Sequence, residues 1–192
     1  MKLSEKIQSV NSIVVAGHTR PDGDCVGSCM GLYNYLKENY PEKDVSVYLE
    51  DTGNAFAYIN RIDEAITEDD EEKQVDLFIL LDTSDIARIG VANKLFENAK
   101  NTLCIDHHVS NPGFAMENII VAGASSASEV LYDLLDEDKI SKEVAEAIKA
   151  QFDIVLDKRK ITMNDVKAFG SYQADLKFTQ GVTATVTVVV CE

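Results

Sequence analysis

Basic residues, long apolar runs and paired cysteines are all scarce in this chain of 192 residues. Lys and Arg total 18 against 33 Asp and Glu, and the formal net charge of -15 argues against non-specific binding to duplex nucleic acid. No apolar stretch reaches the roughly 18 residues that a membrane span requires. No apolar signal core follows the N-terminal residues, so we expect a cytoplasmic protein with no membrane partner. The four cysteines lack paired metal-ligand spacing. Cys25 and Cys29, one helical turn apart, therefore fit small core residues.

The acidic excess is not spread evenly along the chain. Residues 141–192 contain seven basic and seven acidic side chains, so the imbalance lies in residues 1–140. Such a shift in composition indicates two modules. The acidity of the first module is compatible with phosphate binding at a metal-filled site, because the ions there supply positive charge.

Short apolar runs alternate with helix-like segments through the first 135 residues. The patterns predict strands at 12–17, 45–49, 77–81, 102–105 and 118–121. They predict helices at 4–10, 24–39, 91–100 and 125–135. Strands that alternate with helices indicate an α/β fold, in which a parallel sheet is flanked by helices.

Acids and imidazoles follow three of these predicted strands. The side chains concerned, which include all three histidines of the chain, are His18, Asp22, Asp24, Asp82, Asp106, His107 and His108. In an open α/β sheet, ligands bind outside the carboxyl ends of the strands. Carboxylate and imidazole ligands together suit Mn, Fe or Zn. The sequence therefore predicts a metal site at this edge of the sheet. The alternative for the first group is a polar turn in which Asp24 caps the following helix.

Four motifs carry a resemblance to a known family. They are G-H-T-R-P-D-G-D-C-V-G-S (17–28), L-D-T-S-D (81–85), I-D-H-H-V-S-N (105–111) and A-S-S-A-S-E (124–129). Together they make residues 1–148 resemble the DHH phosphoesterase family, and in particular its bacterial nanoRNase and 3′-phosphoadenosine 5′-phosphate phosphatase branch. The resemblance implies hydrolysis of phosphate esters in short RNA or nucleotide phosphates by a water that two metal ions activate.

The resemblance also implies a role for each residue of the predicted site. Two divalent ions, Mn²⁺ in this family, would share Asp82 as a bridging ligand. His18 and Asp22 would hold one ion, and Asp24 and His107 the other. Asp106 would hold the metal ligands in place without binding a metal ion itself, and His108 would face the substrate phosphate.

Three further residues are candidates for substrate binding, each with an alternative role. Arg20 would neutralise a second phosphate or face the solvent. Ser125 and Ser126 would donate hydrogen bonds to phosphate or cap the helix that follows them.

The chain departs from the family pattern after about residue 148. The family continues with a strand and a metal-binding Asp in a D-T-G-like turn, followed by a second, glycine-rich substrate-binding domain, and this sequence has neither. We therefore expect a truncated DHH-type sheet in residues 1–148, incomplete at its C-terminal end. Asp157 follows an apolar run, and one hypothesis is that it replaces the missing ligand.

Residues 149–192 resemble part of another family, the large-subunit ribosomal protein nine family. The resemblance rests on three motifs, F-D-I-V-L-D-K-R-K-I (152–161), K-A-F-G-S-Y-Q-A-D-L-K-F (167–178) and G-V-T-A-T-V-T-V-V-V (181–190). The alternation of Val and Thr in the last motif predicts a small β-rich segment. The resemblance implies contact with ribosomal RNA or the large ribosomal subunit through Lys158, Arg159 and Lys160. The alternative is that these three side chains mark an ordinary exposed strand end.

Three readings of the whole chain follow from the two resemblances. The first is a metal-dependent phosphoesterase, with activity impaired if the truncation removes a ligand. The second is a ribosome-associated RNA-binding protein that carries a vestigial phosphoesterase module. The third is an inactive chimera, produced by gene fusion, deletion or sequence assembly.

Overall fold

The computed structural model describes residues 2–68, 73–136, 161–163, 170–177 and 183–190. The chain forms two compact units, Met1–Leu134 and Leu135–Glu192. The predicted module boundary at 148/149, Asp157 and the basic triplet 158–160 lie outside the described residues, so these stay predictions.

A five-stranded parallel sheet forms the centre of the first unit, as the sequence predicts. Its strands are β1 (Ser12–Ala16), β2 (Asp44–Tyr48), β3 (Leu77–Leu81), β4 (Thr102–Asp106) and β5 (Glu117–Ile120). The helices are α1 (Leu3–Ile7), α2 (Gly23–Asn39), α3 (Asn93–Asn98) and α4 (Ala127–Leu134). The strand order is β2-β1-β3-β4-β5, and every neighbouring pair is parallel.

The strand order reverses direction between β1 and β3. The chain first moves from β1 to β2 on one side, and then returns to build β3, β4 and β5 on the other. In register, Ala16 pairs with Leu80, and Leu81 pairs with Ile105. The loops that follow β1, β3 and β4 therefore leave the sheet side by side at its carboxyl edge. A crevice at such a reversal is where open α/β sheets bind ligands.

The sheet is buried on both faces, which explains the unbroken apolar run of β3. All five residues of β3 are buried, as expected of a parallel strand that is covered on both sides. On one face, Phe78 packs edge-on against Phe96 of α3, with ring centroids 5.3 Å apart. Alternate residues of the strands point to the opposite face, where α2 and α4 contact the sheet and each other.

The structure shortens three of the predicted helices. In place of a helix at 91–100 there is a 3₁₀ turn, Gly90–Ala92, followed by the six residues of α3. Gly90 has a φ of +68°, so no regular α-helix extends back through this residue. The opening helix α1 ends at Ile7 rather than residue 10, and α4 covers Ala127–Leu134 rather than 125–135.

The second unit contains an antiparallel sheet, so the predicted β-rich C-terminal segment is confirmed. Its strands are β6 (Ile161–Met163), β7 (Gly170–Lys177) and β8 (Thr183–Val190), in the order β6-β7-β8. Thr185 Oγ1 donates to Asp175 Oδ1 across the β7–β8 pair at 2.7 Å. Exposed Thr185 and Thr187 lie two residues apart on β8, in agreement with the predicted alternation.

No helix in the described part of the chain is both long and apolar enough to cross a membrane.

Candidate metal centre

Asp82 lies at the centre of the predicted site, directly after β3. Its Oδ2 is 3.6 Å from His18 Nε2, and its Oδ1 is 3.6 Å from His107 Nε2. Asp82 is only 2% exposed, and Oδ1 has no hydrogen-bond partner among the described residues. A buried carboxylate oxygen without a partner carries a large desolvation cost. A cation between Asp82 and the imidazoles would remove that cost, so the residues present fit a metal site.

The backbone conformation of Asp82 directs its side chain toward the imidazoles. Its φ of +51° is unusual for a residue other than glycine, although Asp tolerates the left-handed region better than most residues. The Asp82 N–H still donates to Ile105 O at 3.1 Å. The turn therefore remains attached to β4 while it directs the carboxylate between the two imidazoles.

His18 is buried at the end of β1, with Nε2 facing the acids. Nε2 lies 3.9 Å from Asp22 Oδ1, in addition to its approach to Asp82. Nδ1 lies 2.9 Å from Thr19 O and 2.8 Å from an Arg88 guanidinium nitrogen. A carbonyl only accepts and a guanidinium only donates, so the two contacts require different tautomers. A cation on Nε2 selects the tautomer that donates from Nδ1 to Thr19 O.

Asp22 caps the start of α2, so the alternative in which Asp24 caps that helix is wrong. Asp22 Oδ1 accepts hydrogen bonds from the N–H groups of Asp24 and Cys25, both at 3.1 Å. The side chain of Asp22 remains 69% exposed. Its second oxygen is therefore accessible to a ligand while the first holds the helix start.

Asp24 reaches across to α4, a contact that the sequence did not indicate. Oδ2 accepts from the Ala127 N–H at 2.7 Å, and Oδ1 accepts from the Ser128 N–H and hydroxyl at 3.1 and 2.7 Å. Oδ2 also lies 3.7 Å from His107 Nε2. Asp24 thus joins the start of α4 to the centre that contains Asp82 and His107.

Asp106 organises the turn that carries the two adjacent histidines. It is fully buried at the end of β4. Its Oδ1 accepts from the N–H groups of His107 and His108 at 2.8 and 3.3 Å, and lies 2.8 Å from His108 Nδ1. Its Oδ2 accepts from Asn111 Nδ2 at 2.7 Å. Asp106 therefore fixes the conformation of the turn through these hydrogen bonds. Its role as a supporting residue of a metal site stays a prediction.

The two imidazoles of this turn lie side by side, and each approaches Asp82 Oδ1 to 3.6 Å, through His107 Nε2 and His108 Nδ1. His107 Nδ1 lies 3.3 Å from Ala124 O, which leaves Nε2 facing Asp24 and Asp82. His108 uses Nδ1 toward Asp106, and its side chain is 38% exposed. Asp82, His107 and His108 together could hold a metal ion, and His108 differs from His107 in that its Nδ1 also contacts Asp106.

The three predicted substrate-binding residues lie on the loops that follow β1 and β5. Ser126 Oγ accepts from the Glu129 N–H at 3.0 Å, and the Ser125 N–H and hydroxyl both bond to Glu129 Oε2 at 2.7 Å. This arrangement resembles a capping box. Of the two roles predicted for Ser126, the structure therefore shows the helix cap. Arg20 is exposed, with a φ of +53°, and its N–H donates to the Glu50 carboxylate.

Electrostatic coupling is strongest around His18. The nearby carboxylate of Asp82 raises the pKa of His18 to about 10, against the opposing effect of burial. The Cys29 thiol, and to a smaller extent His18, hold the pKa of Cys25 below its ordinary value. Burial raises the pKa of Cys104 to about 12.

The structure places four residues around this centre that sequence reasoning did not assign to it. Arg88 contacts His18, Asn111 holds Asp106, Ser128 binds Asp24, and Cys25, which was interpreted as a core residue, accepts a hydrogen bond from the His18 N–H. Cys25, Asn111 and Ser128 lie within the quoted motifs, so the motifs contained that signal. Arg88 is on the loop six residues after Asp82, and only the fold of that loop brings it back to β1.

Comparisons with known proteins divide the chain in two. Residues 12–155 match the DHH family, N-terminal domain, and residues 140–192 match the C-terminal domain of ribosomal protein L9. The bifunctional oligoribonuclease and PAP phosphatase NrnA of Bacillus subtilis is 32% identical over 139 residues, which cover 72% of this chain and 42% of that protein. The chain spans less than half the length of the curated NrnA relatives it matches.

Two further comparisons concern the fold and the tail. The crystal structure of an exopolyphosphatase-related protein from Bacteroides fragilis superposes with a TM-score of 0.61 at 25% identity. The match covers 76% of this chain and 46% of that protein. The large ribosomal subunit protein bL9 of Clostridium beijerinckii is 40% identical over 50 residues, which cover 26% of this chain and 34% of that protein.

Proposed function

The chain belongs to the DHH family, and on this premise we propose that it is a metal-dependent phosphoesterase acting on short oligoribonucleotides or nucleotide phosphates. The observation that carries the proposal is Asp82, whose unpartnered Oδ1 lies in a buried position between imidazoles. The names of the NrnA relatives support the substrate class.

The donor set favours divalent cations with mixed nitrogen and oxygen ligands, such as Mn²⁺. In our proposal His18 and Asp22 hold one ion, Asp24 and His107 hold a second, and Asp82 bridges them. Two bound ions supply Lewis-acid stabilisation of the phosphoryl oxygens and lower the pKa of a water nucleophile.

The protein's own groups orient and complete this site. Asp106 accepts from His108 Nδ1, which leaves His108 Nε2 to face the substrate phosphate or its leaving oxygen. Asn111 holds the second oxygen of Asp106, and so fixes the orientation of the whole turn. Arg20, exposed on the loop after β1, supplies a cation for a second phosphate in this proposal.

The proposal is tested by Mn²⁺-dependent release of phosphate from 3′-phosphoadenosine 5′-phosphate and of mononucleotide from a diribonucleotide. We expect turnover by the full chain and a loss of at least about 100-fold in Asp82→Asn, because outer partners of metal ligands alone contribute about 10–100-fold. Asp133→Asn, which changes an exposed acid on α4, is the matched control. No release by the full chain at any Mn²⁺ concentration would reject the proposal.

A second proposed function concerns the tail, for which the match to the L9 C-terminal domain is the support. We propose that residues 149–192 contact ribosomal RNA through Lys158, Arg159 and Lys160. Co-sedimentation of the full chain with large ribosomal subunits at physiological salt would support this contact. Replacement of the three basic residues by Gln is expected to weaken it, whereas equal sedimentation of both proteins would reject their role.

A further inference from the structure

We propose that His18, Cys25 and Asp82 form a binding site for a thiophilic cation such as Zn²⁺, and that this cation competes with the harder metal at the same centre. One ligand atom from each of the three residues lies within 4.8 Å of the others, and all three residues are buried. The sequence alone favoured a core role for Cys25, because the cysteines lack paired spacing.

Cys25 is held against the site by the backbone of β1 and its loop. The His18 N–H donates to Cys25 Sγ at 3.3 Å. A side chain at Gly17 would place its Cβ 2.2 Å from Cys25 Sγ, so only glycine leaves room for the sulfur there. Cys25 is also the third residue of α2, whose first turn is fixed by Asp22. The sulfur is therefore restrained next to His18 from both sides.

The ligands of this site overlap those of the proposed Mn²⁺ centre. His18 Nε2 is the ring nitrogen that faces Asp82, at 3.6 Å from Oδ2. A metal that bonds to this nitrogen and to the Asp82 carboxylate excludes another from the same two atoms.

The two overlapping sets of ligands are expected to prefer different metal ions. Thiolate ligands select Zn²⁺ and other soft cations, whereas carboxylate-rich sets suit Mn²⁺. One histidine, one cysteine and one aspartate make three protein ligands, and tetrahedral Zn²⁺ would retain one position for water. A bound cation would require Cys25 as a thiolate and His18 without a proton on Nε2, so the protons that this pair carries would be released to solvent, with no change in oxidation state.

The first test is spectroscopic and needs no turnover, so its result is independent of the proposed phosphoesterase activity. The full chain is titrated with Co²⁺, a spectroscopic substitute for Zn²⁺, and the sulfur-to-cobalt charge-transfer absorption in the near ultraviolet is recorded. We expect this band in the wild type and in Cys191→Ser, and its loss in Cys25→Ser. Cys191 is the control because it lies in the C-terminal segment, far along the chain from the three residues of the proposed site.

The second test measures the competition directly. Zn²⁺ is expected to displace Mn²⁺ from the wild type, and Cys25→Ser is expected to weaken Zn²⁺ binding by at least about 10-fold. Mn²⁺ affinity should change little in the same variant, because Cys25 is not one of its proposed ligands. Equal Zn²⁺ affinity in wild type and Cys25→Ser, or a charge-transfer band that survives in Cys25→Ser, would overturn the proposal.

A third measurement avoids variants altogether, in case Cys25→Ser does not fold. X-ray absorption at the zinc edge of the zinc-loaded wild type should show one sulfur at about 2.3 Å, with lighter atoms at about 2.0–2.1 Å. A shell of nitrogen and oxygen alone would contradict the site.

Discussion

Asp24→Ala is expected to destabilise the first unit even without metal, because Asp24 caps α4 from a different helix. The substitution removes three hydrogen bonds, to the N–H groups of Ala127 and Ser128 and to the Ser128 hydroxyl. Loss of a helix cap costs about 0.5–2 kcal/mol, and hydrogen bonds to charged groups contribute about 1.5–3 kcal/mol.

Two effects moderate the size of this loss. The Asp24 side chain is 22% exposed, so water can reach part of the vacated site. The substitution also removes one of the acids that crowd around His107 Nε2, where Asp24 and Asp82 approach to 3.7 and 3.6 Å. We therefore expect a loss of about 2 kcal/mol in the free energy of unfolding, or about 4–8 °C in Tm for a chain of this size.

The assay is urea and thermal unfolding in excess chelator, which restricts the comparison to contacts within the protein. Asp24→Asn should lose about half as much, because asparagine keeps one acceptor oxygen, whereas Asp24 accepts hydrogen bonds through both of its oxygens. The exposed Asp133 on α4 is the control, and Asp133→Ala should lie within about 0.5 kcal/mol of wild type. If Asp24→Ala also lies within that range, Asp24 does not stabilise α4 and the reasoning fails.

Three further predictions concern the support of the site, the core and acid stability. Asn111→Ala should lower Mn²⁺ affinity by about 10–100-fold, because it frees Asp106 Oδ2; an unchanged affinity in calorimetry would contradict this. Phe78→Ala should lower the free energy of unfolding in urea by about 3–5 kcal/mol, and a loss below 1 kcal/mol would mean that the two aromatic rings do not support the core. Lys100 and two backbone N–H groups at the start of β1 hold the pKa of Asp76 well below its ordinary value of 3.8. The stabilisation from Asp76 is therefore present above that value and declines as pH falls through it, so Asp76→Asn should lower Tm at pH 7 and converge with wild type in acid; a constant difference would refute the assignment.

The sequence predicted the sheet and the convergence of acids and imidazoles at its carboxyl edge because both depend on local patterns. The run Leu77–Leu81 is too short and too apolar for anything but a strand covered on both faces, and Asp82 follows it directly. Parallel strands with polar residues at their carboxyl ends bring those residues together whatever their distance in sequence. The order of the strands, which puts β1 beside β3, is what makes His18 and Asp82 neighbours.

The contacts that the sequence did not reveal are those between elements distant in the chain. Asp24 was weighed as a cap for its own helix, yet it caps α4, more than 100 residues later. Cys25 lacks the spacing of a metal ligand, and only the packing of α2 against Gly17 places its sulfur beside His18. Arg88 approaches His18 because the 3₁₀ turns after β3 fold back toward β1, and local sequence pattern does not specify that path.

Binding of Mn²⁺ to Asp82→Asn is the measurement that tests the central claim most directly. Electron paramagnetic resonance of free Mn²⁺ during titration of the full chain reports affinity without any assumption about substrate. The account predicts saturable binding by the wild type and by Asp133→Asn, and a loss of at least about 100-fold in affinity for Asp82→Asn. Equal Mn²⁺ affinity in wild type and Asp82→Asn would contradict the assignment of this buried acid as the bridge of a metal centre.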